Sequence, residues 1–316
     1  MTIPKISDHR IKGEILRILR QDQKATAESL LCREVRITPE SLRKQILELQ
    51  EAGYEIQTSD NGFQLIHEPD NPYPWEFPGR EPFIHYFKEL PSTMDVARKM
   101  AGNGCPDFTV VISEFQSTGR GRLQRTWHSD AGGLYFTIVL RPRLAPVHSH
   151  CINFAASLVL AKVLQRIFQV DAKVKWPNDI LVNELKLSGM LSEMGIEANR
   201  LSYVNIGIGI NVNNDPTEKE PNAISLKKLL GTRIDRRRLL SSFLDDFQTM
   251  LSVTPLENII PQWKQHTMTI GRHVKIVTIK ESYEGFARDV SDSGALILEQ
   301  KDGSLIEVIY GDCFHG

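Results

Sequence analysis

A chain of 316 residues with 41% hydrophobic content is long enough for roughly two domains and a substantial buried core. Its 38 Lys and Arg against 39 Asp and Glu leave a formal charge of −1, which excludes bulk attraction to a polyanion, so a nucleic-acid role needs a local patch. Met1–Gly13 lacks the apolar stretch of a signal peptide, and the longest charge-free run, Leu144–Ala161, is broken by Pro146, His148, Ser149, His150 and Asn153. Cys32, Cys105, Cys151 and Cys313 form no C-x-x-C pair. The expectation is a cytoplasmic protein with no membrane partner, no disulfide framework and no cysteine-rich zinc site.

Residues 1–68 read as a small module. Ile11, Ile15, Leu16, Ile18 and Leu19 recur at helical spacing, and a second short segment runs from Thr26 to Cys32. A third helix has a defined start: Thr38 as N-cap, Pro39 at the first position, then Leu42, Ile46 and Leu49 on one stripe until Gly53. Glu55–Ile66 centres on Asn61-Gly62, a dipeptide that favours a tight hairpin. Three helices and a hairpin predict a winged helix-turn-helix, with the third helix in a DNA major groove and Arg33, Arg36, Arg43 and Lys44 as contacts. The module has no positive excess. Lys5, Arg10, Lys12, Arg17, Arg20, Lys24, Arg33, Arg36, Arg43 and Lys44 are matched by Asp8, Glu14, Asp22, Glu28, Glu34, Glu40, Glu48, Glu51, Glu55 and Asp60, so a protein-interaction module stays open beside a DNA-binding one.

Pro69, Pro72, Pro74, Pro78 and Pro82 predict a stiff linker over 69–82. Beyond it the pattern is mixed. Strands are predicted at Phe83–Phe87, Val110–Glu114, Leu134–Leu140, Ala172–Trp176, Asp179–Val182, Lys186–Glu193 and Tyr203–Ile210, with helices at Thr93–Ala101 and Ile152–Phe168. This is an α+β body over 83–268. From Thr269 onward only short strands follow, at His273–Ile279, Ser282–Val290, Leu296–Glu299 and Leu305–Val308, which predicts a small β-barrel over 269–316.

The chemistry concentrates in three clusters. In Gly119-Arg120-Gly121-Arg122-Leu123-Gln124-Arg125-Thr126-Trp127 a flexible backbone brings several guanidinium forks into a small volume, an arrangement suited to a phosphate or carboxylate that would gather them. It is neither a P-loop nor a dinucleotide fingerprint, because Gln124 takes the third glycine's place. Lys175-Trp176-Pro177-Asn178-Asp179 reads as a turn between strands in which Asn and Asp can cap their own backbone. Lys186-Leu187-Ser188-Gly189-Met190-Leu191-Ser192-Glu193 then opens with an ammonium that can point into a cleft. Asn205-Ile206-Gly207-Ile208-Gly209-Ile210-Asn211 alternates glycine with isoleucine, which fits either close approach of a ligand or a bulged strand. His148-x-His150 reads as a solvated pair rather than a metal site.

Taken in order, these clusters resemble the biotin protein ligases, specifically the two-function type with an amino-terminal winged helix known as biotin operon repressor. Ser92-Thr93-Met94 stands at the family's S-T-N-like turn, Gly119–Trp127 at its G-R-G-R-x-G-R-x-W segment, and Lys175–Asp179 at K-W-P-N-D. Lys186–Glu193 and Gly207–Asn211 match K-L-[AS]-G-[IM]-L-x-E and G-x-G-x-N. The resemblance implies a class II synthetase-like catalytic domain followed by an SH3-like barrel. It also implies a two-step ligase that uses ATP and Mg²⁺ to activate biotin and then loads a lysine of a biotin carboxyl carrier protein. On that reading Ser92, Thr93, Met94, Gln116, Arg120, Gly121, Arg122 and Lys186 bind biotin, with Arg120, Arg122 and Lys186 catalytic. Arg125, Trp127, Asn178 and Asn211 hold the nucleotide and Asp179 is a candidate metal ligand. Operator DNA and a second copy of the chain are the further implied partners. Met94 and Gln124 depart from the family's Asn and Gly. A lipoate or octanoate ligase, and a ligand-sensing repressor with weak catalysis, are the alternatives.

Overall fold

The computed structural model describes residues 6–21, 24–198 and 200–315; Lys5 and Asp22 of the charge count lie outside them. The chain divides into two units, Met1–Tyr86 and Phe87–Gly316.

In the first unit, α1 (Ile6–Gln21), α2 (Glu28–Val35) and α3 (Pro39–Glu51) are followed by β1 (Glu55–Ser59) and β2 (Gly62–His67). Thr38 caps α3 as expected, its Oγ1 accepting from Ser41 N at 3.3 Å, with Pro39 at the first turn. Leu42, Ile46 and Leu49 join Ile15, Leu16, Leu19 and Leu31 in one core. The hairpin turns one residue earlier than the sequence suggests: Ser59 pairs with Gly62, leaving Asp60-Asn61 as the loop. Gly62 is needed for a different reason. Its φ is 117° and a Cβ there would lie 2.0 Å from Thr26 O, because Thr26 bridges to Phe63 beside the hairpin.

The proline-rich segment is not an extended spacer. It makes 3-10 turns at Pro74–Glu76 and Glu81–Phe83, and packs Tyr73 and Trp75 against the core of this unit. Tyr73 Oη donates to Ala52 O at 2.9 Å and Trp75 Nε1 to Tyr54 Oη at 3.0 Å. The prolines exclude helix and ladder, but the aromatics between them bury enough apolar surface to dock the segment.

In the second unit a seven-stranded sheet has the order β3 (Ile84–Leu90), β4 (Thr109–Gln116), β5 (Leu134–Leu140), β9 (Arg200–Ile210), β8 (Leu185–Glu197), β7 (Asp179–Val182), β6 (Lys173–Lys175), its first strand beginning just before the division. The pairs β4–β5, β5–β9, β9–β8, β8–β7 and β7–β6 are antiparallel. α4 (Thr93–Gly102) lies on β5, β4 and β9, while α5 (His150–Phe168) packs on α7 (Arg236–Val253) and α8 (Ile259–Lys264). α5 is apolar and long enough to cross a membrane, yet it is a core helix with Ala155, Leu158, Ala161 and Leu164 all inaccessible.

Short α6 (Leu226–Leu230), α7 and α8 are not anticipated above, although Leu239, Leu240, Phe243, Leu244 and Phe247 form a readable helical stripe behind the Asp235 cap. The tail is a five-stranded antiparallel sheet of β10 (His273–Val277), β11 (Ser282–Val290), β12 (Leu296–Glu299), β13 (Leu305–Val308) and β14 (Asp312–His315), in the order β13-β12-β11-β10-β14. It shares the second unit, tied there by Trp176 Nε1 donating to Gly294 O at 3.0 Å and Trp176 N donating to Thr269 Oγ1 at 3.0 Å.

Candidate active site

Every residue expected above to bind biotin or nucleotide, and Asp179, lines one cleft of about 480 Å³ in the second unit. Its polar end is built where α4 begins. Gln116, the last residue of β4, accepts from Thr93 N at 2.8 Å and Thr93 Oγ1 at 3.1 Å, and donates through Nε2 to Ser129 Oγ at 2.8 Å. Thr137 Oγ1 donates to Thr93 Oγ1 at 2.9 Å. Ser92, Thr93 and Gln116 are all buried, so this end is a fixed constellation of donors and acceptors.

The floor explains the alternating glycines. Gly189 of β8 and Gly209 of β9 are direct partners. A Cβ on Gly209 would lie 2.4 Å from Trp127 Cε2, and one on Gly189 would lie 2.9 Å from Trp127 Cζ3. At Gly207 a Cβ would lie 2.6 Å from Met94 Sδ. Glycine is required because an indole and a thioether lie flat on the strands. Gly209→Ala is therefore expected to displace Trp127 and raise the KM of a substrate packed on the indole about tenfold, since misplacement by about 1 Å can cost up to about 100-fold. Steady-state kinetics with thermal melting would check it; an unchanged KM in folded protein would contradict this arrangement.

Lys186 Nζ sits 5.4 Å from the Trp127 ring centroid and 2.8 Å from Asp179 Oδ1. The three loop arginines are spread over separate partners rather than left to repel one another. Arg120 Nη2 lies 2.8 Å from Asp95 Oδ1 and its Nη1 3.3 Å from Glu193 Oε1. The first of these is an ion pair without hydrogen-bond alignment, and buried Nε and Nη2 have no hydrogen-bond acceptor among the described residues. Arg122 Nη1 donates to Asn178 Oδ1 at 3.1 Å and Gly311 O at 3.3 Å, and burial pulls its guanidinium below the usual value. Arg125 Nη2 meets Asp312 Oδ2 at 2.6 Å. Leu123 and Gln124 adopt φ of 50° and 61°, so Gln124 occupies a left-handed position that glycine would take without steric strain.

Asn178 donates to Met190 O, and Asn211 Oδ1 accepts from Asn214 Nδ2 at 3.0 Å. The Trp176–Pro177 bond between these clusters is cis.

Sequence reasoning missed what the tail contributes. Asp312, Cys313, Phe314 and His315 of β14 all line the cleft, and burial pushes the Cys313 thiol up to about 12, leaving it protonated at neutral pH. Asp95 and Glu193 were also missed as partners of Arg120; their only sequence signal is an acid near each end of the matched motifs.

A resident metal cage does not fit this cleft. Among the described residues no group of three His, Cys, Asp or Glu is placed to hold an ion, and Asp179, expected as a metal ligand, is engaged by Lys186. The four DNA-contact candidates belong to the first unit. All are exposed: Arg33 pairs with Glu34 at 3.1 Å, Arg43 with Glu28 at 2.9 Å and Lys44 with Glu48 at 3.7 Å, while Arg36 ends α2 in the left-handed conformation.

Comparison with known proteins joins this geometry to a family. Residues 86–211 match the Biotin/lipoate A/B protein ligase family, and residues 269–316 match the Biotin protein ligase C terminal domain. The bifunctional ligase/repressor BirA of Bacillus subtilis is 31% identical, over 84% of this chain and 86% of that protein. The chain belongs to the biotin protein ligase family. Within that family, the biotin–[acetyl-CoA-carboxylase] ligase of Mycobacterium tuberculosis is 30% identical over 70% of this chain and 84% of its own. The structure of the Aquifex aeolicus biotin protein ligase in complex with biotin and ATP superposes with a TM-score of 0.62 at 25% identity, covering 74% of this chain and 98% of that one. The fold accordingly is the mixed α/β fold of biotin protein ligases with a carboxy-terminal β domain.

Proposed function

We propose that the cleft makes biotinyl-5′-adenylate from biotin and MgATP and then hands the biotinyl group to a lysine of a biotin carboxyl carrier protein. A biotin carboxylate oxygen attacks the α-phosphorus, the bond to the β-phosphate breaks and pyrophosphate leaves. The carrier's neutral amine then attacks the acyl carbon, AMP leaves with the bonding pair, and the nitrogen loses a proton to solvent. Mg²⁺ would come as part of the MgATP substrate and would offset phosphate charge; one or two carboxylates would suffice for an ion carried this way.

The observation that carries the reading is that Lys186, set against Trp127, and the three loop arginines line one cleft with a buried polar end. Ser92, Thr93 and Gln116 suit the ureido ring, which needs donors and acceptors once buried, and Met94 covers its apolar side. Arg120, Gly121, Arg122 and Lys186 take the carboxylate and α-phosphate, where fixed cations meet charge that grows at the pentacoordinate centre. Trp127 offers a face to adenine, with Arg125, Asn178 and Asn211 around the nucleotide. Cover by the 117–127 segment keeps water from the anhydride.

Biotin-dependent ATP–pyrophosphate exchange is the test, and its absence in folded protein would remove the reading. Exchange driven by lipoate or octanoate in place of biotin would instead favour the lipoate-type alternative, against which the match over 269–316 already speaks. On this assignment 83–268 is the class II synthetase-like catalytic region and 269–316 an SH3-like barrel that completes the cleft. Such a reaction belongs in the cytoplasm with its carrier.

The first unit suits a winged helix that represses transcription by binding a biotin-synthesis operator, with α3 in the major groove, Arg33, Arg36, Arg43 and Lys44 on the phosphates, and adenylate occupancy coupled through a homodimer. The name and coverage of the Bacillus relative support it. Footprinting with and without biotin and ATP should show protection only when both are present; no protection in either condition would leave this unit as an interaction module.

A further inference from the structure

Strand β9 carries a side chain that the reaction above does not use. Asn205 is completely buried, and neither its Oδ1 nor its Nδ2 has a hydrogen-bond partner among the described residues. An unmatched buried amide is destabilising, so its presence needs a reason.

Its position narrows the reason. Alternation along β9 places Asn205 on the face of Gly207 and Gly209, the face on which Met94 and Trp127 lie. Its cross-strand partners are Val139 on β5 and Glu193 on β8. Val139 is part of an apolar cluster with Ala97, Ala101 and Val111, against which Tyr203 packs. The Glu193 carboxylate is turned to Arg98 at 2.6 Å and Arg120 at 3.3 Å. α4 covers this face with Met94, Ala97 and Ala101, spaced three and four apart. Met94 stands over Gly207 and the two alanines pack with Tyr203, so Asn205, midway between 203 and 207, falls between the cleft wall and the apolar cluster.

That wall is one pleat away and is made of Gly207 and the Met94 thioether, an adaptable side chain. We propose that Asn205 is a specificity-determining residue at the acyl end of the cleft. When Met94 moves off Gly207, the amide offers one donor and one acceptor, directly or through one water, to a ring that carries both, as a cyclic urea does. The proposal rests on the assignment of biotin as the acyl substrate.

Calorimetric titration of the full-length chain tests it, with biotin, ATP and lipoate as probes, lipoate having a ring without a urea. Asn205→Val is expected to weaken biotin about tenfold and to leave ATP and any lipoate binding unchanged, while Asn205→Thr, which keeps a donor and an acceptor, recovers part of the loss. Because Asn205→Val also removes an unmatched amide, its thermal midpoint should equal or exceed that of the parent. Unchanged biotin affinity in either variant overturns the proposal and marks the amide as a purely structural orphan. Should Asn205→Val not fold, Asn205→Thr decides alone, since it too must bind biotin more weakly than the parent. Failure of the parent chain to bind biotin overturns the substrate assignment and this inference together, whereas failure in the variants alone spares the assignment.

Discussion

Lys186→Ala is expected to lower biotin-dependent ATP–pyrophosphate exchange about 1000-fold, the upper range for loss of one preorganised electrostatic contact to a developing anion. Lys186 is the second residue of β8, and its ammonium is held 2.8 Å from Asp179 Oδ1 and 5.4 Å from the Trp127 ring, the indole assigned to the nucleotide. A point charge there acts on whichever oxygen gains charge as the carboxylate attacks phosphorus. The loss should fall on kcat more than on the KM for biotin, because the ground-state carboxylate keeps the loop arginines. Lys186→Arg should recover little, since the longer guanidinium spreads its charge over a fork and does not set a compact point charge at the same place. Asp179→Asn should cost only about tenfold, because it removes the anchor and not the charge. Full exchange activity in folded Lys186→Ala would remove Lys186 from the chemistry.

The readable parts of this fold were those governed by local rules. Thr38-Pro39 announces the start of α3 because capping and a fixed φ act within four residues, and the strands of the central sheet follow from runs of β-branched residues. The hairpin was displaced by one residue because Gly62 answers to Thr26, 36 positions earlier, and not to the turn. The site shows the same division. Its glycines and arginines stand out in the sequence, but the reason for the glycines is the thickness of Trp127 and Met94, which arrive from other segments.

Least legible was the contribution of β14. Nothing in Gly311-Asp312-Cys313-Phe314-His315 signals a cleft, yet Gly311 O and Asp312 hold two arginines of the loop, and Arg122 is 189 positions from Gly311. Docking of the proline-rich segment was hidden for a related reason. Proline content fixes what a segment cannot form, whereas Tyr73 and Trp75 decide where it goes.

Arg122→Ala is expected to reduce exchange by about 100- to 1000-fold and to shorten the lifetime of bound adenylate. Arg122 is half-buried, and burial lowers its pKa, while Asp312 and Asp179 oppose the shift and Arg125 adds to it. A guanidinium nevertheless stays charged at neutral pH, so the cleft contains a permanent, poorly solvated cation. Its Nη1 bonds to Asn178 and Gly311 orient it without neutralising it, since both acceptors are uncharged. Such a group is worth more to an anion than an exposed arginine, because less water competes for it. Removing it takes away a cation that the proposed mechanism sets against the phosphate, and leaves Arg125–Asp312 as the remaining tie of the 117–127 segment to the Gly311–Asp312 stretch. Chemistry should therefore slow and water should reach the anhydride. Single-turnover quench with separation of adenylate from free biotin and AMP measures both effects. Arg122→Lys should restore some charge but not the bridge to Asn178 and Gly311, so its adenylate should decay nearly as fast as in Arg122→Ala. A variant that keeps its adenylate as long as the parent would show that another element excludes water.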